Sequence, residues 1–145
     1  MLARREYSRS ELRAKLAADR NASDAGLTEI DAVLEQLAAL GYLSDVRFAQ
    51  QFTRQKVGAY SKRAIGASLK ARGVEGSAAA DALAGVEVDD HDAMVALWRR
   101  RFGTPPASEK EKARQVRFLQ SRGFSLSAII RLLRDPPVEE PASDS

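Results

Sequence analysis

The residue types that most often carry out catalysis are scarce in this chain of 145 residues. Its one histidine, His91, lies in Asp89-Asp90-His91-Asp92, and no glycine-flanked nucleophile accompanies it, so a Ser-His-Asp triad has no support. The three acids could act as metal ligands. They fit better in the first turn of a helix, where negative charge opposes the positive helix end. No P-loop is present. The sequence therefore predicts no enzyme, no metal site and no cofactor.

Basic side chains indicate a binding function instead, because basic and acidic residues fall in separate blocks along the chain. Residues 46–74 hold seven bases and no acid, and residues 98–134 hold ten bases against two acids, although the net charge is only +3. The stretches 21–45 and 75–97 hold five and six acids and no Lys or Arg. Such blocks indicate basic faces for a polyanion or an acidic protein surface. The alternative is that neighbouring helices pair their opposite charges internally.

The candidate binding residues come from the two basic blocks. They are Arg47, Arg54, Lys56, Lys62, Arg63, Lys70, Arg72, Arg99, Arg100, Arg101, Arg114, Arg117 and Arg122. Trp98 precedes three of these arginines, which suggests base stacking combined with phosphate contact. Trp98 also continues the apolar stripe of Met94 and Leu97, so we interpret it as a core residue.

A Leu followed four positions later by Gly, and then by an apolar residue, occurs three times. The copies are Leu37-Gly41-Tyr42, Leu69-Gly73-Val74 and Leu119-Gly123-Phe124. This pattern predicts a Schellman helix ending, in which the Gly is left-handed and the apolar residue covers the Leu. A serine close behind each copy predicts the N-cap of the next helix, at Ser44, Ser77 and Ser125. The matched copies indicate a repeated helical unit with spacings too uneven for a regular solenoid.

Helical patterns fill the rest of the chain, and no period-two strand pattern occurs. Capping boxes begin at Ser8 and Ser108, each with Glu three positions later. The predicted fold class is all-α, with tandem three-helix repeats that share the helix of Phe48 between the first two. The predicted divisions are 1–57, 58–88 and 89–134 for the three repeats and 135–145 for a disordered acidic and Pro-containing tail.

The compartment is predicted from what the sequence lacks. It has no cysteine, which fits a reducing environment, and no apolar run approaches the roughly 20 residues that span a bilayer. The N-terminal Met1-Leu2-Ala3-Arg4-Arg5 has no apolar region behind its charges. We expect a cytoplasmic protein with no membrane partner.

Three motifs in order resemble the RecX regulatory proteins over about residues 4–134. They are Arg5-Glu6-Tyr7-Ser8-Arg9-Ser10-Glu11-Leu12 with Leu16, then Gly41-Tyr42-Leu43-Ser44-Asp45-Val46-Arg47-Phe48-Ala49, then Leu119-Gln120-Ser121-Arg122-Gly123-Phe124-Ser125. The resemblance implies an elongated, curved string of three-helix bundles. It also implies a monomer that binds the RecA filament on single-stranded DNA and restrains its ATPase, strand-exchange and co-protease activities, in DNA repair and the SOS response. No catalytic residues come with it.

A second function stays open beside this one, namely a sequence-independent nucleic-acid binder of tandem helical units. A filament modulator would bind RecA without DNA, or saturate with RecA. A nucleic-acid binder would lose affinity steeply with salt, because phosphate contacts alone would hold it. The sequence leaves open which repeat contacts RecA, and whether DNA is contacted directly or through RecA.

Overall fold

The computed structural model describes residues 5–137, and within them it contains eight α-helices and no strand, as the all-α prediction expected. The helices are α1 Arg9–Arg20, α2 Asp24–Ala39, α3 Asp45–Lys56, α4 Lys62–Ala71, α5 Ser77–Ala84, α6 Asp90–Arg101, α7 Glu109–Ser121 and α8 Leu126–Arg134. None of these helices has the length and apolar character needed to cross a membrane. Most of the predicted disordered tail, residues 138–145, lies outside the described residues.

The chain forms two compact units. The first comprises the described residues up to Lys56 together with Ile65–Val86. The second comprises Val57–Ala64 together with the described residues from Glu87 onward. Helix α4 therefore begins in the second unit and ends in the first.

The first unit buries the apolar stripes of α2 and α3. Ile30 and Leu34 of α2 are buried with Leu43, and α1 packs against them. On α3, the rings of Phe48 and Phe52 stack with their centroids 5.8 Å apart. Apolar side chains three and four positions apart share one helix face, so these stripes are what the helical period predicts.

The second unit has a core built around Trp98. This residue is only 2% exposed and packs with Met94 and Leu97 of α6 and with Ile129 of α8. Its indole Nε1 donates a 2.9 Å hydrogen bond to Oε1 of the buried Gln115. A buried indole N–H requires such a partner, and the interpretation of Trp98 as a core residue is confirmed.

The three predicted Schellman endings are confirmed. Gly41, Gly73 and Gly123 have φ values of +84°, +84° and +94°. In each copy, the amide of the residue after the glycine donates to the carbonyl five positions back: Tyr42 to Leu37, Val74 to Leu69 and Phe124 to Leu119. Val74 and Phe124 are buried as predicted. Tyr42 is 72% exposed, so the prediction that it covers Leu37 was wrong.

Two predictions about helix starts need correction. Ser77 is the first residue of α5 rather than its cap, because Gly76 takes the cap position and supplies no side-chain hydrogen bond. Ser108 caps α7, but Glu111 accepts from the amide of Ala107 at 2.9 Å rather than from that of Ser108. The capping box at Ser8 is complete.

A contact between two helix ends, which we call the first joint, lies inside the first unit. The Ser8 hydroxyl donates a 2.6 Å hydrogen bond to the carbonyl of Arg72 at the end of α4. The same oxygen accepts from the amide of Glu11 at 3.0 Å. The amide of Arg9 donates to Asp45 Oδ1 at 2.9 Å, so the start of α3 also contributes.

The second joint is a similar contact inside the second unit, with the serine hydrogen bonds shifted by one residue along the helix end. The Ser61 hydroxyl donates to the carbonyl of Gly123 at 2.9 Å, and the Ser61 amide donates to the carbonyl of Arg122 at 2.9 Å. The amide of Lys62 donates to Asp90 Oδ1 at 2.9 Å. Asp90, one of the acids beside His91, therefore accepts a hydrogen bond from the first amide of α4. No cluster of three potential metal-ligating side chains occurs among residues 5–137.

Glycine is required at the joints for two separable reasons, and a pair of variants distinguishes them. A Cβ at Gly73 would overlap the Ser10 side chain, whereas a Cβ at Gly41 would meet nothing within 4 Å. Both glycines are left-handed, which costs a side chain about 1–2 kcal/mol. We expect Gly41→Ala to cost about that much and Gly73→Ala clearly more, measured by urea unfolding. Equal losses would show that the close approach at the joint contributes nothing.

Candidate partner-binding surface

Side chains from α6, α7 and the segment before α4 form an alternating stack of cations and rings in the second unit. The Arg101 guanidinium lies over the Phe118 ring at 4.9 Å from its centroid. The Arg122 guanidinium lies 4.9 Å from the same centroid and 4.8 Å from that of Tyr60. We call Arg101, Phe118, Arg122 and Tyr60 the arginine stack. Guanidinium groups bind aromatic faces in this way by cation–π attraction.

Backbone carbonyls of the segment before α4 accept hydrogen bonds from Arg122 of the stack and from the neighbouring Arg100. Arg122 Nη1 donates to the carbonyl of Ala59 at 3.2 Å, and Arg100 Nη2 donates to the carbonyl of Gly58 at 3.2 Å. The sequence places these arginines where they are needed, because Arg100 lies in the last turn of α6 and Arg122 is the C-cap of α7. Both positions lie beside free helix carbonyls, where a positive charge is stabilised.

A cleft of about 280 Å³ opens beside the stack. Arg101, Phe102, Arg114 and Phe118 line it. The Phe102 ring meets the Phe118 ring edge to face, with centroids 5.6 Å apart. Arg114 is exposed and makes no hydrogen bond or ion pair with the described residues. The cleft is therefore lined by both guanidinium donors and aromatic rings.

The two joints carry different charges in spite of their common geometry. In the first joint, Arg72 forms a 3.3 Å ion pair with Glu11. Arg122 takes the place of Arg72 in the second joint, and Ala64 takes the place of Glu11. No carboxylate among the described residues pairs with Arg122. The first joint is thus neutralised internally, and the second remains cationic.

Internal charge pairing, the alternative left open by the sequence, is found in the first unit. Arg9 pairs with Glu35 at 3.1 Å and Arg13 with Asp31 at 2.7 Å, so the basic α1 meets the acidic α2. The hydrogen bond from Arg13 holds the pKa of the Asp31 carboxyl below its ordinary range. In the second unit, Arg101, Arg114 and Arg117 make no ion pair with a described residue.

The structure divides the candidate binding residues between the two units. Those in the first are Arg47, Arg54, Lys56, Lys70 and Arg72, and those in the second are Lys62, Arg63, Arg99, Arg100, Arg101, Arg114, Arg117 and Arg122. Within the first unit, Arg47 is held by Glu6 at 3.1 Å and Arg72 by Glu11. The Lys56 ammonium lies 5.5 Å from the centroid of the Phe52 ring. Arg54, Arg63 and Lys70 are exposed.

Sequence reasoning missed the two rings of the arginine stack. Phe118 lies four positions before Arg122 on α7, and this i, i+4 spacing places both on one helix face. That spacing was a usable signal. Tyr60 had a weaker one, because Tyr60-Ser61-Lys62 repeats the Tyr7-Ser8-Arg9 pattern of the first joint.

Comparison with known proteins identifies both parts of this architecture. The family model described as the second three-helix domain of RecX matches residues 44–83. The model for the third three-helix domain of RecX matches residues 87–133. The tandem three-helix repeats predicted from the sequence are therefore confirmed.

Curated relatives extend this similarity over nearly the whole chain. The Regulatory protein RecX of Leptothrix cholodnii is 41% identical over 133 residues, which cover 92% of this chain and 82% of that protein. The Regulatory protein RecX of Thermus thermophilus is 37% identical over 134 residues, covering 92% and 85%. A crystal structure of RecX from Lactobacillus salivarius matches with a TM-score of 0.61 at 20% identity, covering 92% of this chain and 89% of that one, and it supports the fold.

The pairing of Asp31 predicts a pH dependence with a definite sign. Because its folded-state pKa is lowered by Arg13, its contribution to stability is present above its unfolded-state pKa and is lost as the pH falls through the folded-state pKa. The pair is half-exposed, so the effect on stability is small. We expect Arg13→Ala to raise the Asp31 pKa towards its ordinary value in an NMR carboxyl titration. Lys15→Ala, on the same helix, should leave it in place, and an unchanged pKa in Arg13→Ala would contradict the assignment.

Proposed function

Because the chain belongs to the RecX family of regulatory proteins, we propose that it binds the RecA filament on single-stranded DNA and inhibits the RecA ATPase. Strand exchange and co-protease activity depend on the same filament and would be restrained with it. The protein would thus act as a non-enzymatic regulator in DNA repair and the SOS response, in the cytoplasm and as a monomer.

One structural observation supports the binding of a polyanionic filament, namely the unpaired cations of the second unit. Arg101, Arg114 and Arg117 are exposed and have no acidic partner among the described residues. An isolated patch of one sign raises the local concentration of a partner of the opposite sign and speeds encounter. A filament of protein on DNA carries phosphate charge along its whole length.

The first unit would play a different part. Arg47 and Arg72 are held by Glu6 and Glu11, so their charges are already balanced inside the unit. Arg54 and Lys70 remain exposed and could contact a protein surface. In this proposal the three repeats are 1–57, 58–88 and 89–134, and more than one of them contacts the filament.

A second candidate, the sequence-independent nucleic-acid binder, is favoured by the arginine stack. Arginines combined with aromatic rings are typical of sites that hold single strands without reading their sequence. The two functions differ in whether RecA is required. Capture of purified RecA by the immobilised protein, with and without single-stranded DNA, separates them: capture without DNA supports the regulator, and capture only of DNA supports the alternative.

Inhibition of the RecA ATPase should depend on the cations of the second unit. We expect the wild-type protein to inhibit the ATPase of RecA on single-stranded DNA, and Arg101→Glu with Arg114→Glu to lose most of this inhibition, because repulsion replaces attraction. Lys15→Glu with Arg20→Glu is the matched control. It changes the net charge equally at exposed residues of α1 and should inhibit normally. If both double variants inhibit like wild type, the surface has been assigned wrongly.

A further inference from the structure

We propose that the arginine stack and its cleft bind the phosphodiester backbone of single-stranded DNA directly, with one base entering the cleft. This inference rests on the proposed function and assigns the DNA contact of that function to the third-repeat side of the chain. The site consists of Arg101, Arg114 and Arg122 with the rings of Phe118 and Phe102.

Stacking on an aromatic ring restricts the guanidinium groups to positions from which they can bind phosphate. A guanidinium that lies flat on a ring keeps its N–H groups in its own plane, so its donors point away from the ring edge. The guanidinium carbons of Arg101 and Arg122 both lie over the Phe118 ring, 4.9 Å from its centroid. Because their positions are already restricted, little side-chain freedom is left to lose when a phosphate binds. Bidentate phosphate binding is the interaction for which this planar geometry is best suited.

The second joint also leaves its charge available, whereas the first does not. Arg72 is bound by Glu11, whereas the equivalent position in the second joint is Ala64, which carries no charge. Arg63 similarly occupies the position that Ser10 holds in the first joint. The two differences remove one acid and add one base at the second joint. An external anion is what such a joint can accept.

The aromatic walls favour nucleic acid over an acidic protein surface. Carboxylates would satisfy the guanidinium groups equally well, but they offer nothing to Phe102 and Phe118, which are only half-buried beside the charges. A nucleotide presents a phosphate and a flat ring within one unit. The cleft of about 280 Å³ is slightly below the roughly 300–1,000 Å³ of sites for whole small molecules, and a single base is a suitable occupant.

The test measures binding of the intact protein to a fluorescent oligothymidylate in the absence of RecA. Arg101→Lys keeps the charge but loses the stacked fork, and we expect it to weaken binding about fivefold. Arg101→Ala should weaken it further and lower the slope of log K against log salt by about 0.7, the value for one phosphate on a single strand. Arg134→Lys is the matched control, since Arg134 is exposed on α8 and is not one of the candidate binding residues, and it should bind as wild type.

A second pair of variants tests the joint itself. Ala64→Glu restores the acid of the first joint beside Arg122 and should weaken binding, while Ala64→Gln should not. Thermal unfolding of every variant must match wild type, and Arg101→Lys and Arg134→Lys act at exposed side chains where a loss of fold is not expected.

Two outcomes would overturn the inference. Equal effects of Arg101→Lys and Arg134→Lys would show that only net charge matters. Competition by poly-glutamate as strong as by unlabelled oligothymidylate at equal charge would assign the surface to an acidic protein. The experiments distinguish a failure of the proposed function from a failure of this inference. A protein that binds oligothymidylate as described but does not inhibit RecA retains this site and loses the regulatory role, and inhibition without any DNA binding does the reverse.

Discussion

The contact of one helix start with another helix end is the interaction on which the rest of the structure depends. The first amides and last carbonyls of any helix lack partners within it. At each joint a single serine, Ser8 or Ser61, serves both, because its hydroxyl donates to a terminal carbonyl while its oxygen accepts from an amide of its own helix. The positive start of one helix then faces the negative end of the other, which adds electrostatic attraction. Both serines are buried, so each hydroxyl needs these bonds.

The joints explain where glycine is required and where asparagine suffices. Asn21 ends α1 in the left-handed region with φ of 48°, and Ala22 bonds the carbonyl of Ala17 as in a Schellman ending. The same backbone shape therefore forms with a Cβ present. At Gly123 a Cβ would overlap Ser61 and Ala64. The left-handed dihedral alone permits Asn or Gly, and the approach of a second helix selects Gly.

Sequence reasoning succeeded where the physics is local. The three Schellman endings, the Ser8 capping box and the burial of Trp98 depend on residues within one or two turns, and these are confirmed, although the local patterns at Ser77 and Ser108 were only partly right. The joints join residues such as Ser8 and Arg72, far apart in the chain, and no local pattern indicates such a pairing. The same limit applies to the site. The cationic blocks were visible in the sequence, but whether an arginine pairs with an acid, as Arg72 does with Glu11, is decided by helix packing. Tyr42 shows the opposite case, because its local pattern was correct and its environment left it exposed.

A repeated joint restricts which of its positions can differ between copies. The serine, the glycine and the aspartate that binds the first amide make the contact itself, so they recur as Ser8, Gly73 and Asp45 and as Ser61, Gly123 and Asp90. The residues two and three after the serine differ between the copies. Ser10 and Glu11 make the first joint self-contained, whereas Arg63 and Ala64 leave the second one positive. Because Ala64 stands where the first joint has Glu11, Arg122 lacks the acidic partner that balances Arg72, although both arginines precede a left-handed glycine.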